Sequence, residues 1–248
     1  MSGRGRVQVF AGPEGVARAL ADLFVDLGQA ATADRGCFRV ALSGGNTPRA
    51  AYRLLAQDPR RDALSWSDVF VYFGDERCVP PDDEQSNYLM AKKAFLGDVP
   101  IPAPNVHRIR GEIDPATAAA DYATILRTDL GDPPRFDLVL LGLGPDGHTA
   151  SLFPGTSPLT DDAALVRAVY APSQSMWRVT ITPQLINAAR SVAFAVEGLD
   201  KAVILATVLE GEYDPTKYPA QIVAPESGRL TWLVGELAAG NLHEDHRE

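Results

Sequence analysis

The stretch Phe136-Asp-Leu-Val-Leu-Leu-Gly-Leu-Gly-Pro-Asp-Gly-His148 decides the fold class of this chain. Its apolar run is typical of a strand buried on both faces of a parallel sheet. The run ends in a glycine-rich turn that carries Asp146 and His148 two positions apart. Ligands bind at the carboxyl ends of strands in α/β sheets, and an imidazole transfers protons near neutral pH. The turn is therefore a candidate active site.

Strands alternate with helices along the rest of the chain. This pattern predicts an α/β fold with a mostly parallel, doubly wound sheet covered on both faces, and a small β-rich excursion around residues 150–182. Helices are predicted to start at Gly12, Thr47, Ser86 and Asp114, and to span residues 182–189 and 199–209. Strands are predicted over residues 7–10, 37–42, 69–73, 138–143, 165–170, 177–181, 192–196 and 230–234.

Composition indicates a globular protein, with 248 residues, 46% hydrophobic and 22% charged. This is enough for one domain over residues 1–248. The formal net charge of −9 argues against nucleic acid or an anionic membrane as a partner, so positive contacts to an anionic substrate must be local. No apolar segment is long enough to cross a membrane, and no signal peptide is visible. Cys37 and Cys78 are expected to be reduced thiols in a cytoplasmic protein.

A glycine-rich turn, Ser43-Gly-Gly-Asn-Thr47, joins a predicted strand to a predicted helix. Two glycines allow close approach of a ligand, and the helix start offers free N–H groups, so the turn fits a phosphate. The spacing fits equally well a plain βα turn in which Thr47 caps the helix. It does not match a Walker loop, because no Gly-Lys-Ser/Thr follows.

Three charged residues, Asp75, Glu76 and Arg77, directly follow the strand over residues 69–73. Such charges are costly at a strand end unless they reach water, a ligand or each other. Arg77 could bind phosphate or stabilise an oxyanion, and the alternative is an ion-paired structural turn. We favour a functional role, because charged turns recur at strand ends. Cys78 lacks a neighbouring base and is not expected to be a nucleophile.

Residues 142–147 match the pattern G-x-G-x-x-G of dinucleotide-binding proteins. That pattern requires an immediate helix and then a strand ending in an acid. Here the following sequence is too broken for a helix, and Asp162 precedes a strand, so the match is interpreted as accidental. The functional interpretation uses Asp146 to orient His148 as a base. The alternative is a capping histidine.

Two later cations, Arg178 and Lys201, also fit an anion pocket. Arg178 lies in an apolar strand and needs a counter-charge, and Lys201 lies in a first helical turn, where a cation opposes the helix dipole. Surface cations lying over apolar neighbours are an equally good explanation. His243 and His246 in the polar tail are too few to predict a metal site.

Taken together, these segments resemble the 6-phosphogluconolactonases, which share a superfamily with glucosamine-6-phosphate deaminases. The resemblance covers nearly the whole chain. Its most specific segments are those at residues 73–80 and 141–154. Residues 177–180 and 198–202 follow in the expected order. The matching segments are ALSGGNTPR at residues 41–49, FGDERCVP at 73–80 followed by Ser86 and Asn87, and LGLGPDGHTASLFP at 141–154.

The resemblance implies a three-layer α/β/α fold and hydrolysis of 6-phospho-D-glucono-1,5-lactone without a metal or organic cofactor. It implies that His148 is the catalytic base, with Asp75, Arg77 and Asp146 in the same pocket. It leaves a monomer or a small homo-oligomer open. The usual proline pair before Arg178 is replaced by Ser175-Met-Trp177. The residues implied to hold the phosphate are Ser43, Gly44, Gly45, Asn46, Thr47, Arg178 and Lys201.

Three other functions are alternatives to lactone hydrolysis. An amino-sugar-phosphate deaminase–isomerase carries an acid a few residues after the histidine, where this chain has Phe153, which cannot ionise. A non-catalytic sugar-phosphate sensor usually carries an attached DNA-binding segment, and none is recognisable here. A nicotinamide-dependent oxidoreductase would rest on the accidental glycine pattern alone.

Overall fold

A computed structural model describes residues 4–156, 159 and 164–246. Apolar runs form nearly all of the strands in this part of the chain. In chain order the strands are β1 (Arg6–Phe10), β2 (Phe38–Leu42), β3 (Val69–Phe73), β4 (Asp75–Arg77), β5 (Leu138–Leu141), β6 (Val166–Ala171), β7 (Met176–Ile181), β8 (Ser191–Val196) and β9 (Arg229–Gly235).

Six of these strands form one sheet in the order β1-β9-β8-β5-β2-β3, and every neighbouring pair in it is parallel. β2 lies between β3 and β5, so the chain proceeds from β2 to one side of the sheet and later builds the other side. The boundary between β2 and β5 is therefore a topological switch point, where a crevice opens beyond the carboxyl ends of the strands. This confirms the predicted doubly wound sheet.

A second, antiparallel sheet has the order β4-β7-β6 and confirms the predicted β-rich excursion. The sequence did not predict β4, because its three residues are all charged. β4 pairs with β7 so that Asp75 lies opposite Thr180 and Arg77 lies opposite Arg178. The short strand thus brings the charged turn after β3 against the strand that carries Arg178.

Helices cover the parallel sheet on both sides. Thr47 is not the N-cap of the second helix, as one interpretation had it. Gly45 is the N-cap, and it provides no side-chain cap. Among the described residues, no helix combines the length and apolar character that crossing a membrane requires. The α-helices are α1 (Gly12–Arg35), α2 (Asn46–Leu55), α3 (Asn87–Ala91), α4 (Pro115–Leu130), α5 (Pro183–Asn187) and α6 (Ala202–Glu210).

Two buried tyrosines fix the ends of neighbouring strands. The Tyr52 hydroxyl donates to the Ser43 carbonyl at 3.0 Å and accepts from the Ser43 N–H at 3.1 Å. The Tyr122 hydroxyl likewise donates to the Phe73 carbonyl at 3.1 Å and accepts from the Phe73 N–H at 2.8 Å. Burial raises the pKa of both hydroxyls well above the ordinary value. Each hydroxyl therefore stays neutral and satisfies two backbone groups just where a strand gives way to a turn.

Replacing Tyr122 by Phe should leave two buried backbone groups of Phe73 without a partner. We expect the free energy of unfolding to fall by about 1–3 kcal/mol, as measured by urea denaturation. Tyr213, which is 61% exposed, offers a matched control. Tyr213→Phe should leave the denaturation midpoint unchanged. Equal midpoints for Tyr122→Phe and Tyr213→Phe would contradict this account of the strand end.

Candidate active site

A cleft of about 470 Å³ opens at the carboxyl ends of β2, β5 and β8. The turns after β2 and β5, the strands β4 and β7, and the segment that follows β8 all contribute to its wall. Turns distant in the sequence therefore meet at one edge of the sheet. The predicted site residues that line the cleft are Ser43, Gly44, Gly45, Asn46, Thr47, Asp75, Arg77, His148, Arg178 and Lys201.

The remaining predicted residue, Asp146, contacts the His148 imidazole from the side. Its Oδ1 lies 2.5 Å from His148 Nδ1 and 3.2 Å from the His148 backbone nitrogen. Partial burial raises the pKa of Asp146, but the hydrogen bond and charge of His148 outweigh this, so the pKa lies below its usual value. The carboxylate occupies Nδ1, and proton transfer at this ring is therefore left to Nε2.

Close packing around the imidazole explains two residues of the glycine-rich turn. A Cβ atom on Gly144 would lie 2.0 Å from His148 Nδ1, so only glycine fits there. On another side, the Phe153 ring centroid lies 4.7 Å from that of His148. Residues 145–156 form no helix, in agreement with the interpretation of the G-x-G-x-x-G match as accidental. Asp162 lies outside the described residues.

Asp75 and Arg178 form a buried ion pair between β4 and β7. Arg178 NH1 lies 3.3 Å from Asp75 Oδ2, and the two side chains are 5% and 8% exposed. The Ser151 hydroxyl donates to the same carboxylate oxygen at 2.6 Å. Arg178 NH2 also donates to Gln174 Oε1. Burial lowers the pKa of Arg178, and the nearby Asp75 carboxylate offsets part of that effect.

Several polar atoms of the cleft are buried without a hydrogen-bond partner. They include Ser43 Oγ and the Nε atoms of Arg77 and Arg178. Arg77 NH1 donates to the Gln85 carbonyl at 2.5 Å, which holds this guanidinium in place. Buried donors are normally satisfied, so their clustering beside one cleft indicates a place for an anionic or otherwise hydrogen-bonding ligand.

Lys201 lies on the opposite wall of the cleft, at the start of α6. Its Nζ is 3.4 Å from Asp200 Oδ2, and its side chain is 19% exposed. Glu197 precedes this segment and also lines the cleft. Burial raises the pKa of Glu197 above its usual value. Sequence analysis missed Glu197, because it continues the apolar run of β8 as a single acid.

Sequence analysis also failed to assign four other polar residues to the site. Glu76 and Asn87 are both buried, Asn87 lines the cleft, and both lie within or beside a motif quoted above. Ser151 lies in the His148 turn but has no charge to attract notice. Gln174 reaches the cleft from the β6–β7 connection. The sequence spacing of these residues carries no signal, because the fold alone brings them together.

The fold and cleft define a class of protein: a doubly wound α/β protein with a His–Asp pair at a cleft whose wall includes Arg77, Arg178 and Lys201. A family model for glucosamine-6-phosphate isomerases and 6-phosphogluconolactonases matches residues 11–232. The chain belongs to this family, which confirms the resemblance drawn from the sequence.

Relatives and solved structures agree with this assignment. A 6-phosphogluconolactonase of Synechocystis sp. is 44% identical over 86% of this chain and 88% of its own. One from Nostoc sp. is 40% identical over 92% and 93%. The structure of 6-phosphogluconolactonase from Trypanosoma brucei has a TM-score of 0.87 and 28% identity, covering 98% of this chain and all of its own (100%).

The buried Asp75–Arg178 pair generates a prediction about stability. Asp75→Asn should leave the Arg178 charge without its counter-ion and lower the free energy of unfolding by about 3–5 kcal/mol. The exposed pair Arg110–Asp121, at 3.4 Å, is a matched control, with side chains 54% and 46% exposed. Asp121→Asn should cost about 0–1 kcal/mol. Urea denaturation at pH 7 gives both values, and similar losses would refute the role of burial.

Proposed function

We propose that this protein hydrolyses 6-phospho-D-glucono-1,5-lactone to 6-phospho-D-gluconate, with His148 as the general base. The named relatives confirm the class of enzyme indicated by the sequence, a carboxylic ester hydrolase acting on a lactone. The observation that carries the residue assignment is the 2.5 Å contact between His148 and Asp146 at the edge of a cleft lined with unsatisfied donors.

The reaction needs a water nucleophile, a stabilised oxyanion and a protonated leaving oxygen. His148 Nε2 takes a proton from water as the water oxygen bonds to the lactone carbonyl carbon. The resulting oxyanion is stabilised by Arg77. When the bond from that carbon to the ring oxygen breaks, the imidazolium returns its proton to the ring oxygen. Asp146 keeps the ring oriented and stabilises its charged form throughout.

The substrate phosphate is assigned to the turn that precedes α2. The N-cap Gly45 has no side chain, so the backbone N–H groups of the first helical turn are open to an anion, and the helix dipole favours one there. Ser43, Gly44, Asn46 and Thr47 complete this subsite. Lys201 and Arg178 supply positive charge. Phosphate binding then holds the distant carbonyl beside His148 and reduces the entropic cost of reaction.

The wider setting follows from the same reasoning. We propose that residues 1–248 act as one domain in the cytoplasm, as a monomer or small homo-oligomer. The substrate is a small anionic molecule, and neither nucleic acid nor membrane is a partner. The net charge of −9 supports the absence of nucleic acid and membrane partners, because polyanionic surfaces repel a strongly acidic protein.

His148→Ala should abolish the general base while leaving the phosphate subsite intact. We expect kcat to fall by about 10²–10⁴-fold, measured as acid release above the spontaneous rate from lactone made in situ. Binding of 6-phosphogluconate should be largely retained. His243, whose side chain is 82% exposed, is a matched control, and His243→Ala should retain full activity. Hydrolysis by His148→Ala at the parent rate would show that another group is the base.

Lys201→Ala should weaken contact with the phosphate alone. KM for the phosphorylated lactone should rise by about tenfold, which corresponds to one lost charge-assisted hydrogen bond. Kinetics on unphosphorylated gluconolactone should not change. Lys93, an exposed cation paired with Glu84, is the control, and Lys93→Ala should match the parent on both substrates. If the parent itself used both lactones equally well, the phosphate subsite would be wrongly assigned.

A further inference from the structure

Asn87 is a buried polar side chain at the wall of the cleft, and it is 2% exposed. Its backbone N–H donates to Glu76 Oε1 at 2.7 Å. Glu76 Oε2 accepts from the Ser86 hydroxyl at 2.9 Å and from the Tyr88 N–H at 2.8 Å. One buried carboxylate thus holds three successive residues. The backbone position of Asn87 is therefore fixed independently of the contacts that its side chain makes.

The orientation of the Asn87 amide is also determined. Its Nδ2 donates to the Asp75 carbonyl at 2.9 Å and to Asp75 Oδ1 at 3.1 Å. Both partners are acceptors, so the NH₂ group must face Asp75 and the carbonyl oxygen must face the other way. That oxygen lies against Gly44, where a Cβ atom would be only 2.0 Å from it.

The amide therefore touches two functional turns at once. On one side is the Gly44 turn, which we assign to the phosphate. On the other is Asp75, which holds Arg178 at 3.3 Å and the Ser151 hydroxyl at 2.6 Å. Ser151 belongs to the same turn as His148. A single side chain consequently spans the gap between the phosphate subsite and the elements around the catalytic base.

We propose that Asn87, held by Glu76, is a positioning residue that sets the spacing between the phosphate-binding turn and the Asp75–Arg178 pair. This inference rests on the proposed function and deepens it. A substrate anchored by its phosphate reacts only if its carbonyl reaches His148, and a displacement of about 1 Å can cost about 100-fold in rate. By setting this spacing, Asn87 allows a substrate bound by its phosphate to place its carbonyl carbon beside His148.

The decisive variant is Asn87→Asp, which keeps the shape of the side chain but turns its two donors into acceptors facing Asp75. We expect kcat/KM for the phosphorylated lactone to fall by about 100-fold. The value for unphosphorylated gluconolactone should fall much less, because that substrate does not use the phosphate turn. The ratio between the two substrates is the readout, since a general loss of folded protein would lower both values equally.

Asn105 provides the matched control. It is also a buried asparagine, and its Nδ2 donates to the carbonyls of Ser67 and Val69 at 2.9 Å and 3.1 Å, away from the cleft. Asn105→Asp should reduce stability but leave the substrate ratio at the parent value. If Asn87→Asp and Asn105→Asp give the same ratio, Asn87 is only structural and the proposal is overturned.

A binding measurement separates this proposal from the proposed function. Calorimetric titration with 6-phosphogluconate should show about tenfold weaker binding for Asn87→Asp and Asn87→Ala than for the parent and Asn105→Asp. A parent that binds 6-phosphogluconate but does not hydrolyse the lactone would refute the proposed function alone. Unchanged affinity in both Asn87 variants would refute the positioning role, whatever the activity of the parent.

Discussion

The architecture of the site depends on the ion pair between the buried carboxylate of Asp75 and the guanidinium of Arg178. Asp75 is the first residue of β4, separated from the end of β3 by one residue, and it pairs with Arg178 of the neighbouring strand β7 at 3.3 Å. Two opposite charges that are almost fully buried are tolerated only when each is paired and hydrogen-bonded. The pair therefore ties β4 to β7 within the antiparallel sheet, and the Ser151 hydroxyl, which donates to Asp75, joins the turn that carries His148 to the same carboxylate.

The same arrangement is compatible with the proposed anion site in a chain with a net charge of −9. Two acids of the site are satisfied by protein donors, Asp75 by Asn87, Ser151 and Arg178, and Asp146 by His148, whereas Glu197 Oε2 is buried without a partner. The fields of Asp75 and Asp146 are thereby reduced, while buried Nε donors remain on two arginines. Local hydrogen bonding decides the potential in the cleft, because fields from distant exposed acids are screened by solvent.

Much of the fold could be predicted from the sequence, because runs such as that over residues 138–141 have only one stable environment, a covered parallel sheet. The charged turns that the sequence marks at strand ends do line one cleft, as that analysis expected. β4 escaped prediction because its strand character comes from pairing with β7 and leaves no apolar pattern. Thr47 was a wrong choice of cap because the helix already begins at Asn46, and its N-cap is Gly45, two residues before Thr47. Asn87 and Ser151 could not be assigned a role, since their partners are distant in the chain.

The glycine pattern at residues 142–147 shows why a motif has to be judged by what its residues touch. In a dinucleotide fold such glycines admit a pyrophosphate at a helix start. Here Gly144 admits the His148 ring, and Phe153 packs against that ring where an ionisable group would offer a second proton donor. The His148 imidazole is held by packing on two sides and by Asp146 at Nδ1. If His148 is the base, as we propose, it cannot follow a loosely bound substrate, so the substrate must be brought to it. The turn after β2, closed by Tyr52 and in contact with Asn87, is the part of the molecule to which we assign that task.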